Sequence, residues 1–195
     1  TYGLEQLYFN ASNVNRDEAL RTSRKALELA PEWAESHISA GIARCMVQDY
    51  VEADKEFEKA IELDPESFDA WYFYGRTKVH EGDRRHAIEL FEQASRVRPE
   101  DYESVLLLPQ LYHSFGNEDA EMQATRRGID RAKAVLDINP DDNRALNMGA
   151  FALLRLGEKA EAIRWMEESV AKAPMDSIVH YNAACLYALA GKIEK

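Results

Sequence analysis

The chain has 195 residues, of which 46% are hydrophobic, and a formal net charge of −11 at pH 7. This acidity disfavours binding to nucleic acid or to an anionic membrane surface, because both need clustered Lys and Arg. The two cysteines, Cys45 and Cys185, are far apart in sequence and form no metal or redox motif. We therefore expect buried free thiols, a reducing compartment, and neither a metal nor a cofactor.

Apolar residues recur three and four positions apart along the chain, which is the period of an amphipathic helix. Alternating apolar and polar runs, which would predict strands, are absent from the sequence. Five helix-like stretches end in proline, and successive prolines are 34, 34, 41 and 34 residues apart: Pro31, Pro65, Pro99, Pro140 and Pro174. Since proline cannot continue a helix, each one closes a helical pair before the next begins. The sequence predicts an all-α protein made of repeated antiparallel helix pairs.

The first predicted pair, residues 1–33, is irregular, because Leu7 replaces the small residue expected in its first helix. The second pair, residues 34–67, is regular. Within it, Asp49 and Glu52 have the spacing of a capping box, which predicts the start of its second helix.

The third pair, residues 68–101, is the clearest one and serves as the template for the others. Small residues at Gly75 and Ala87 allow its two helices to approach closely, and Phe91 fills the space toward the next pair. The residues that recur at the same spacing in other pairs are Trp71, Tyr74, Gly75, Gly82, Ala87, Phe91, Ala94 and Pro99. The three tryptophans of the chain lie at helical spacing and are predicted to be core residues or residues at the seam between pairs: Trp33, Trp71 and Trp165.

The fourth pair, residues 102–142, departs from the template twice. Pro109 stands where the template has Gly75, inside an apolar helix, so we expect a kink there, or a hinge beside a ligand. Seven extra residues, close to two helical turns, precede the closing proline. They predict one long helix over residues 117–138, weakened in its middle by Gly128.

The fifth pair, residues 143–176, returns to the usual length. The last helix, within residues 177–195, lacks a partner helix, so we expect the chain to be part of a longer protein. Its face with Cys185, Leu186 and Leu189 is expected to be uncovered and to bind another chain, which includes homodimer formation.

Residues 33–191 resemble the tetratricopeptide-repeat family, whose 34-residue unit has the pattern W-x2-L-G-x2-Y…A-x3-F…P. The second half also resembles the repeat arrays of bacterial multidomain signalling proteins, in runs such as LLLPQLY and HYNAACLYALAG. In that group the arrays follow adenylate cyclase, serine/threonine kinase or winged-helix DNA-binding domains. The resemblance implies one array over residues 1–195, wound as a right-handed superhelix, that serves as a regulatory or assembly arm. It supplies no catalytic residue.

In the family, the first helices of successive pairs line a concave groove that binds a peptide or a protein segment. By register, the residues that face this groove are Tyr72, Arg76, His80, Gln110, His113, Arg144, Asn147, Phe151, Arg155, Tyr181 and Asn182, with Ile38, Ile42, Cys45 and Leu106. The arginines and histidines among them would collect positive charge, which favours an acidic or carboxylate-ended ligand. The alternative is that these cations are solvated or paired with nearby Glu, and that Tyr72 and Phe151 are packing residues.

Some members of the family clamp chaperone C-termini with Lys and Asn side chains from successive repeats. Asn182 matches the middle position of that clamp, but Asn147 and Phe151 stand where the clamp needs Lys and Asn. Chaperone binding is therefore not expected.

The sequence contains no Walker loop, no GxSxG, no HExxH and no EF-hand pattern, so we expect no enzyme activity. It also lacks an apolar run of the roughly 18 residues that a membrane span needs. A cytoplasmic location is expected, or a periplasmic one if the parent protein spans a membrane. A protein-interaction module is the function that the sequence favours, and the alternative is a structural or oligomerisation module without a peptide ligand.

Overall fold

The computed structural model of the chain describes residues 13–191. This part contains ten helices and no strand, which confirms the predicted all-α fold. The helices are α1 (Asn13–Leu29), α2 (Ala34–Met46), α3 (Tyr50–Leu63), α4 (Phe68–Glu81), α5 (Arg84–Val97), α6 (Glu103–Ser114), α7 (Glu118–Ile138), α8 (Asn143–Arg155), α9 (Lys159–Lys172) and α10 (Ser177–Leu189). Leu7 and the helix expected around it lie outside the described residues.

The helices belong to two compact units, an N-terminal unit that ends at Pro99 and a C-terminal unit that begins at Glu100. In the N-terminal unit, α2 and α3 form one hairpin and α4 and α5 form the next, and α1 packs on α2. The first helices of the two hairpins, α2 and α4, also contact each other. The single array over residues 1–195 and its right-handed winding remain predictions.

Phenylalanines opposite glycines determine how closely the hairpins of the N-terminal unit pack. The rings of Phe57 and Phe91 are completely buried. A Cβ atom added to Gly41 would lie 2.7 Å from Phe57 Cζ, and one added to Gly75 would lie 2.9 Å from Phe91 Cδ1. Phe57 also stacks on Tyr74 of the following hairpin, with ring centroids 5.3 Å apart. The glycines therefore allow close packing within each pair and Phe57 reaches the next pair, as predicted, but the contact of each phenylalanine with the glycine of its own pair was not expected.

In the C-terminal unit, α6 and α7 form one hairpin, α8 and α9 form the next, and α10 packs on α8 and α9. The helix α7 runs without interruption from Glu118 to Ile138, which confirms the long helix predicted over residues 117–138. Pro109 lies inside α6, and the kink expected there remains a prediction. Gly128 has a packing role, because an added Cβ atom would lie 2.8 Å from Leu106 Cγ.

The predicted capping box at the start of α3 is wrong. Asp49 is the N-cap residue, but its side chain accepts no hydrogen bond from the helix. Its Oδ2 accepts a hydrogen bond from Arg44 Nη1 at 3.0 Å instead, and Glu52 accepts one from Lys55. The prediction failed because both carboxylates bind basic side chains, and the spacing of a capping box takes no account of such competitors.

The prediction that all three tryptophans are core or seam residues holds for Trp165 but not for Trp33, which is 67% exposed. Trp71 is half-buried, and its Nε1–H donates a hydrogen bond to the carbonyl of Pro65 at 2.8 Å. His37 and His180 hold the same position, six residues after the proline that closes a pair. Each donates from Nε2 to that proline's carbonyl at 2.8 Å. An aromatic N–H therefore fixes three of the turns between pairs.

None of the helices in residues 13–191 is long and apolar enough to cross a membrane.

Candidate functional site

The residues predicted to face a groove lie on first helices, as their register requires. In the N-terminal unit these are α2 and α4, which contact each other. In the C-terminal unit they are α6, α8 and α10, where α8 contacts both of the others. Each unit thus has a continuous layer of first helices that could receive an extended segment.

The predicted groove residues of the N-terminal unit are largely packed into the layer. Cys45, Tyr72 and Arg76 are buried, and the Arg76 guanidinium carbon lies 5.8 Å from the centroid of the Tyr72 ring. Tyr72 in turn stacks on Phe68, with centroids 5.3 Å apart. These side chains build the floor of the layer and expose little surface to a ligand.

Burial changes the ionisation of two residues in this floor. It lowers the pKa of His80 to about 4, with a smaller contribution from the Arg76 charge, so His80 is neutral at pH 7. It raises the pKa of the Cys45 thiol to about 11, so this cysteine stays protonated. His80 therefore adds nothing to the positive charge that we expected on this face.

The sequence did not predict a buried ammonium group, that of Lys78, in the same unit. Lys78 Nζ donates hydrogen bonds to Asp54 Oδ2 at 2.5 Å and to Glu81 Oε2 at 2.6 Å. Burial alone would lower the pKa of Lys78, but the two carboxylates outweigh burial and raise it. Glu81 is three residues from Lys78 on one helix and could have been found by spacing. Asp54 is on another helix, and no sequence signal connects it to Lys78.

A polar cluster joins three helices in the C-terminal unit. Glu121 of α7 is buried, and its Oε1 is bonded to Arg155 Nη1 of α8. Its Oε2 accepts a hydrogen bond from His113 Nδ1 of α6 at 2.9 Å. Arg155 Nη2 also donates to Gln110 Oε1 at 3.0 Å. Through this one carboxylate, the second helix α7 is therefore bound to the first helices α6 and α8.

Hydrogen bonds within this cluster hold Glu121 in its ionised form. Burial would raise the pKa of Glu121, but the hydrogen bonds from Arg155 and His113 outweigh burial and lower it. Arg144 is likewise paired, with its Nη2 2.8 Å from Glu103 Oε2. The positive side chains that the register placed on this face are compensated by carboxylates of the same chain.

Two of the predicted contact residues bond to each other across the layer. Asn147 of α8 and Asn182 of α10 are both buried, and Asn182 Nδ2 donates to Asn147 Oδ1 at 2.9 Å. Asn147 Nδ2 lies 3.8 Å from the sulfur of Met166. The amides therefore hold α10 against α8 and use their hydrogen-bonding capacity inside the protein.

The exposed residues among those predicted to face the groove are in the C-terminal unit. Gln110 and Tyr181 are exposed, the His113 side chain is 64% exposed, and Phe151 is half-buried against the core of its unit. Around them, the described residues include no group of three or more His, Cys, Asp or Glu placed to hold a metal ion. What the layer offers a ligand is one aromatic edge, one exposed tyrosine and a compensated polar cluster.

Comparison with known families gives two matches, both to models described as tetratricopeptide repeat. They cover residues 47–108 and residues 123–177. No curated protein matches the chain in sequence.

Solved structures with the same fold include TTC0263, a thermophilic TPR protein of Thermus thermophilus, with a TM-score of 0.67 and 17% identity. The match covers 89% of this chain and 91% of that one. The pilF protein of Pseudomonas aeruginosa has a TM-score of 0.63 and 18% identity, over 97% of this chain and 84% of its own. YrrB, a TPR protein with an unusual peptide-binding site, has a TM-score of 0.56 and 23% identity, over 88% and 85% of the two chains. At these identities the likeness shows the fold alone.

Proposed function

The chain carries tetratricopeptide repeats, and on this premise we propose that it is a protein-interaction module that binds a peptide or protein segment on its first helices. The observation that carries the proposal is the continuous layer formed by α6, α8 and α10, with Gln110, Phe151 and Tyr181 accessible on it. The peptide-binding site of YrrB, a protein of the same fold, supports the proposal. The residues described show no metal cluster and the glycines inside the helices serve packing, so we propose no catalytic role.

The chemistry of the ligand is the finer part of the proposal. An acidic segment remains our expectation, since Arg144, Arg155 and His113 lie on the layer. Glu103 and Glu121 already pair with Arg144 and Arg155, however, and these pairs limit how an acidic ligand can bind. A ligand carboxylate has to compete with Glu121 for Arg155, so apolar contacts at Phe151 must contribute much of the affinity. We propose an acidic segment that also carries an aromatic or aliphatic anchor.

The role of the module within a larger protein follows from the sequence resemblance. We propose a regulatory or assembly arm of a bacterial signalling protein. The structural or oligomerisation role is the second candidate, and the exposure of Tyr181 and Leu189 on α10 favours it.

Isothermal titration with two synthetic peptides of equal length and equal apolar content, one rich in Glu and one rich in Lys, tests the proposal. We expect the Glu-rich peptide to bind more tightly and to weaken as salt is added. Phe151→Ala should reduce its affinity by about tenfold, as expected when an apolar anchor is removed. Met122→Ala, an exposed apolar residue on the second helix α7, is the matched control and should leave affinity unchanged.

Tighter binding of the Lys-rich peptide would overturn the proposed preference for an acidic ligand but would still support a peptide-binding role. If neither peptide binds, or if Met122→Ala weakens binding as much as Phe151→Ala does, the first-helix layer is not the site. Thermal unfolding of both variants has to show that the fold is kept.

A further inference from the structure

The turn between α1 and α2 leaves two large apolar side chains in solvent. Leu29, the last residue of α1, is 74% exposed, and Trp33, the N-cap residue of α2, is 67% exposed. Within residues 13–191 the indole N–H of Trp33 donates no hydrogen bond, whereas the indole of Trp71 is bonded to its own turn. Trp33 therefore belongs neither to the core of the N-terminal unit nor to the hydrogen bonds that hold its turns.

Trp33 also stands at a position where each of the other described turns between pairs has a capping residue. The position is two residues after the closing proline. In those turns a side-chain oxygen accepts a hydrogen bond of 2.8–3.3 Å from the first turn of the next helix: Ser67, Asp101, Asp142 and Asp176. Trp33 makes no such bond, so α2 lacks a stabilising contact that the other first helices have. A side chain that supplies neither packing nor a cap is expected to contact something outside the chain.

Hydrogen bonds on both sides hold the turn that carries Trp33. His37 Nε2 donates to the carbonyl of Pro31 at 2.8 Å, and His37 Nδ1 lies 2.7 Å from Glu56 Oε2 of α3. The backbone N–H of Trp33 donates to the carbonyl of Ala30 at 3.2 Å. Because this backbone is already fixed, little conformational freedom is lost when a partner packs on the indole.

The charge around the indole is negative. Glu32 and Glu35 lie on either side of Trp33 in the sequence, both are exposed, and neither forms an ion pair within the described part of the chain. Glu28, by contrast, is paired with Lys25, whose Nζ lies 2.9 Å from Glu28 Oε2. The carboxylates of Glu32 and Glu35 beside an exposed indole match a partner that carries positive charge next to an apolar side chain.

We propose that the turn between α1 and α2 is a docking site for a basic segment of a partner protein, in which Arg or Lys flanks an aliphatic residue. The aliphatic side chain packs on Leu29 and Trp33, a cation stacks on the indole, and Glu32 and Glu35 pair with the flanking cations. A second copy of this acidic chain, or an anionic membrane surface, would bring negative charge to these carboxylates. The site is in the N-terminal unit, and it does not depend on peptide binding by the first helices of the C-terminal unit.

Isothermal titration of the whole chain with a Lys/Arg-rich peptide that carries a central Leu tests the proposal. Trp33→Ser should weaken binding at least about tenfold, as expected for a tryptophan anchor. Val51→Ser, at a 69% exposed apolar residue of the same unit, is the matched control and should leave the affinity unchanged. Acrylamide should quench the fluorescence that Trp33→Ser removes, and the bound peptide should protect it from quenching.

The role of charge is tested with a second pair of variants. Glu32→Gln combined with Glu35→Gln should weaken binding severalfold and reduce its dependence on salt. The control combines Glu66→Gln with Asp69→Asn, at the equivalent exposed positions of the next turn. It should bind the peptide like the wild type, because Ser67 stands there in place of a tryptophan.

Urea unfolding separates a docking residue from a packing residue. Trp33→Ser supplies the missing cap, so its midpoint should be no lower than that of the wild type, and Trp33→Ala should unfold at a lower urea concentration than Trp33→Ser. A lower midpoint for Trp33→Ser than for the wild type would show that the indole supports the fold, and it would overturn the proposal. So would the absence of peptide binding, or equal affinity in the wild type and Trp33→Ser.

The Trp33→Ser variant also separates this proposal from the preceding one. Binding of a basic peptide that this variant loses occurs at the turn, so the comparison of Glu-rich and Lys-rich peptides in the same variant reports on the first helices alone. Binding of the Glu-rich peptide should be the same in the variant and in the wild type. Its loss in the variant would mean that both peptides share one site, which would contradict a separate docking site at the turn.

Discussion

At the scale of single residues, burial decides which side chains on the first helices carry charge. Arg76 and His80 were placed on α4 by register alone, yet the structure packs Arg76 into the floor and leaves His80 neutral at pH 7. Register identifies the helix on which a residue lies and the side it faces. It cannot give the depth of burial, because depth depends on helices that are distant in sequence. The bond between Asn147 and Asn182 could not be predicted for the same reason.

The low pKa of His80 makes the stability of the N-terminal unit depend on pH. The folded-state pKa of about 4 lies below the ordinary value of 6.5, so the unfolded chain binds more protons between these two values. Stability should therefore be fully present above pH 6.5 and should fall as the pH drops from 6.5 toward 4. Urea unfolding midpoints measured across this range should show the slope, and His80→Asn should reduce it. An unchanged slope in the variant would show that other groups cause it.

At the scale of helices, the fourth pair exchanges the roles that its two helices have in the template pair. In the third pair, the small residue Gly75 is on the first helix and the large Phe91 is on the second. In the fourth pair, Leu106 is on the first helix and Gly128 is on the second. The sequence predicted the anomaly at Pro109 and the length of α7, since both follow from spacing. For Gly128 it predicted only a weakening effect, because the contact with Leu106 depends on how the lengthened helix packs.

Replacing the two glycines by alanine should separate a rigid neighbour from a movable one. In Gly75→Ala the new methyl group meets the completely buried Phe91 ring, which has no space to move. Stability should fall by about 1–2 kcal/mol, since overpacking outweighs the gain of about 1 kcal/mol in helix propensity. Gly128→Ala meets Leu106, which is half-buried and can rotate, so its cost should be smaller. Urea unfolding of both variants measures the difference, and a larger loss for Gly128→Ala would contradict this reasoning.

The shared carboxylate of Glu121 should make the packing of α6, α7 and α8 sensitive to acid. Glu121→Gln removes two charge-assisted bonds and should cost about 1–3 kcal/mol at pH 7. The folded-state pKa of Glu121 is below its ordinary 4.5, so its contribution is present above that value and is lost as the pH falls below it.

The stability difference between wild type and Glu121→Gln should therefore shrink below about pH 4.5, measured by urea unfolding at several pH values. The control is Asp130→Asn, at an exposed carboxylate of the same helix, and it should change stability by less than about 0.5 kcal/mol. A difference that stays constant down to about pH 3 would mean that the variant acts through packing rather than charge.

At the scale of the whole molecule, the sequence predicted the repeat because the repeat depends on residues that are close to each other in sequence. Prolines spaced mostly 34 residues apart, and a glycine in the first helix opposite an aromatic residue in the second helix of three of the pairs, act within one pair or between neighbours. The identity of the binding partner cannot be predicted from such local patterns. It depends on which side chains remain accessible after the first helices pack together. Of the predicted groove residues, the structure leaves Gln110, His113 and Tyr181 exposed and Phe151 half-buried.

The central claim is that the first helices are the face that binds a protein segment. Amide chemical-shift mapping of the labelled protein, titrated with the Glu-rich peptide, tests it most directly. We predict that the perturbed amides lie on α6, α8 and α10, around Gln110, Phe151 and Tyr181, with those of α7 and α9 little changed. Perturbations concentrated on α7 and α9, or spread evenly over the helices, would contradict the account.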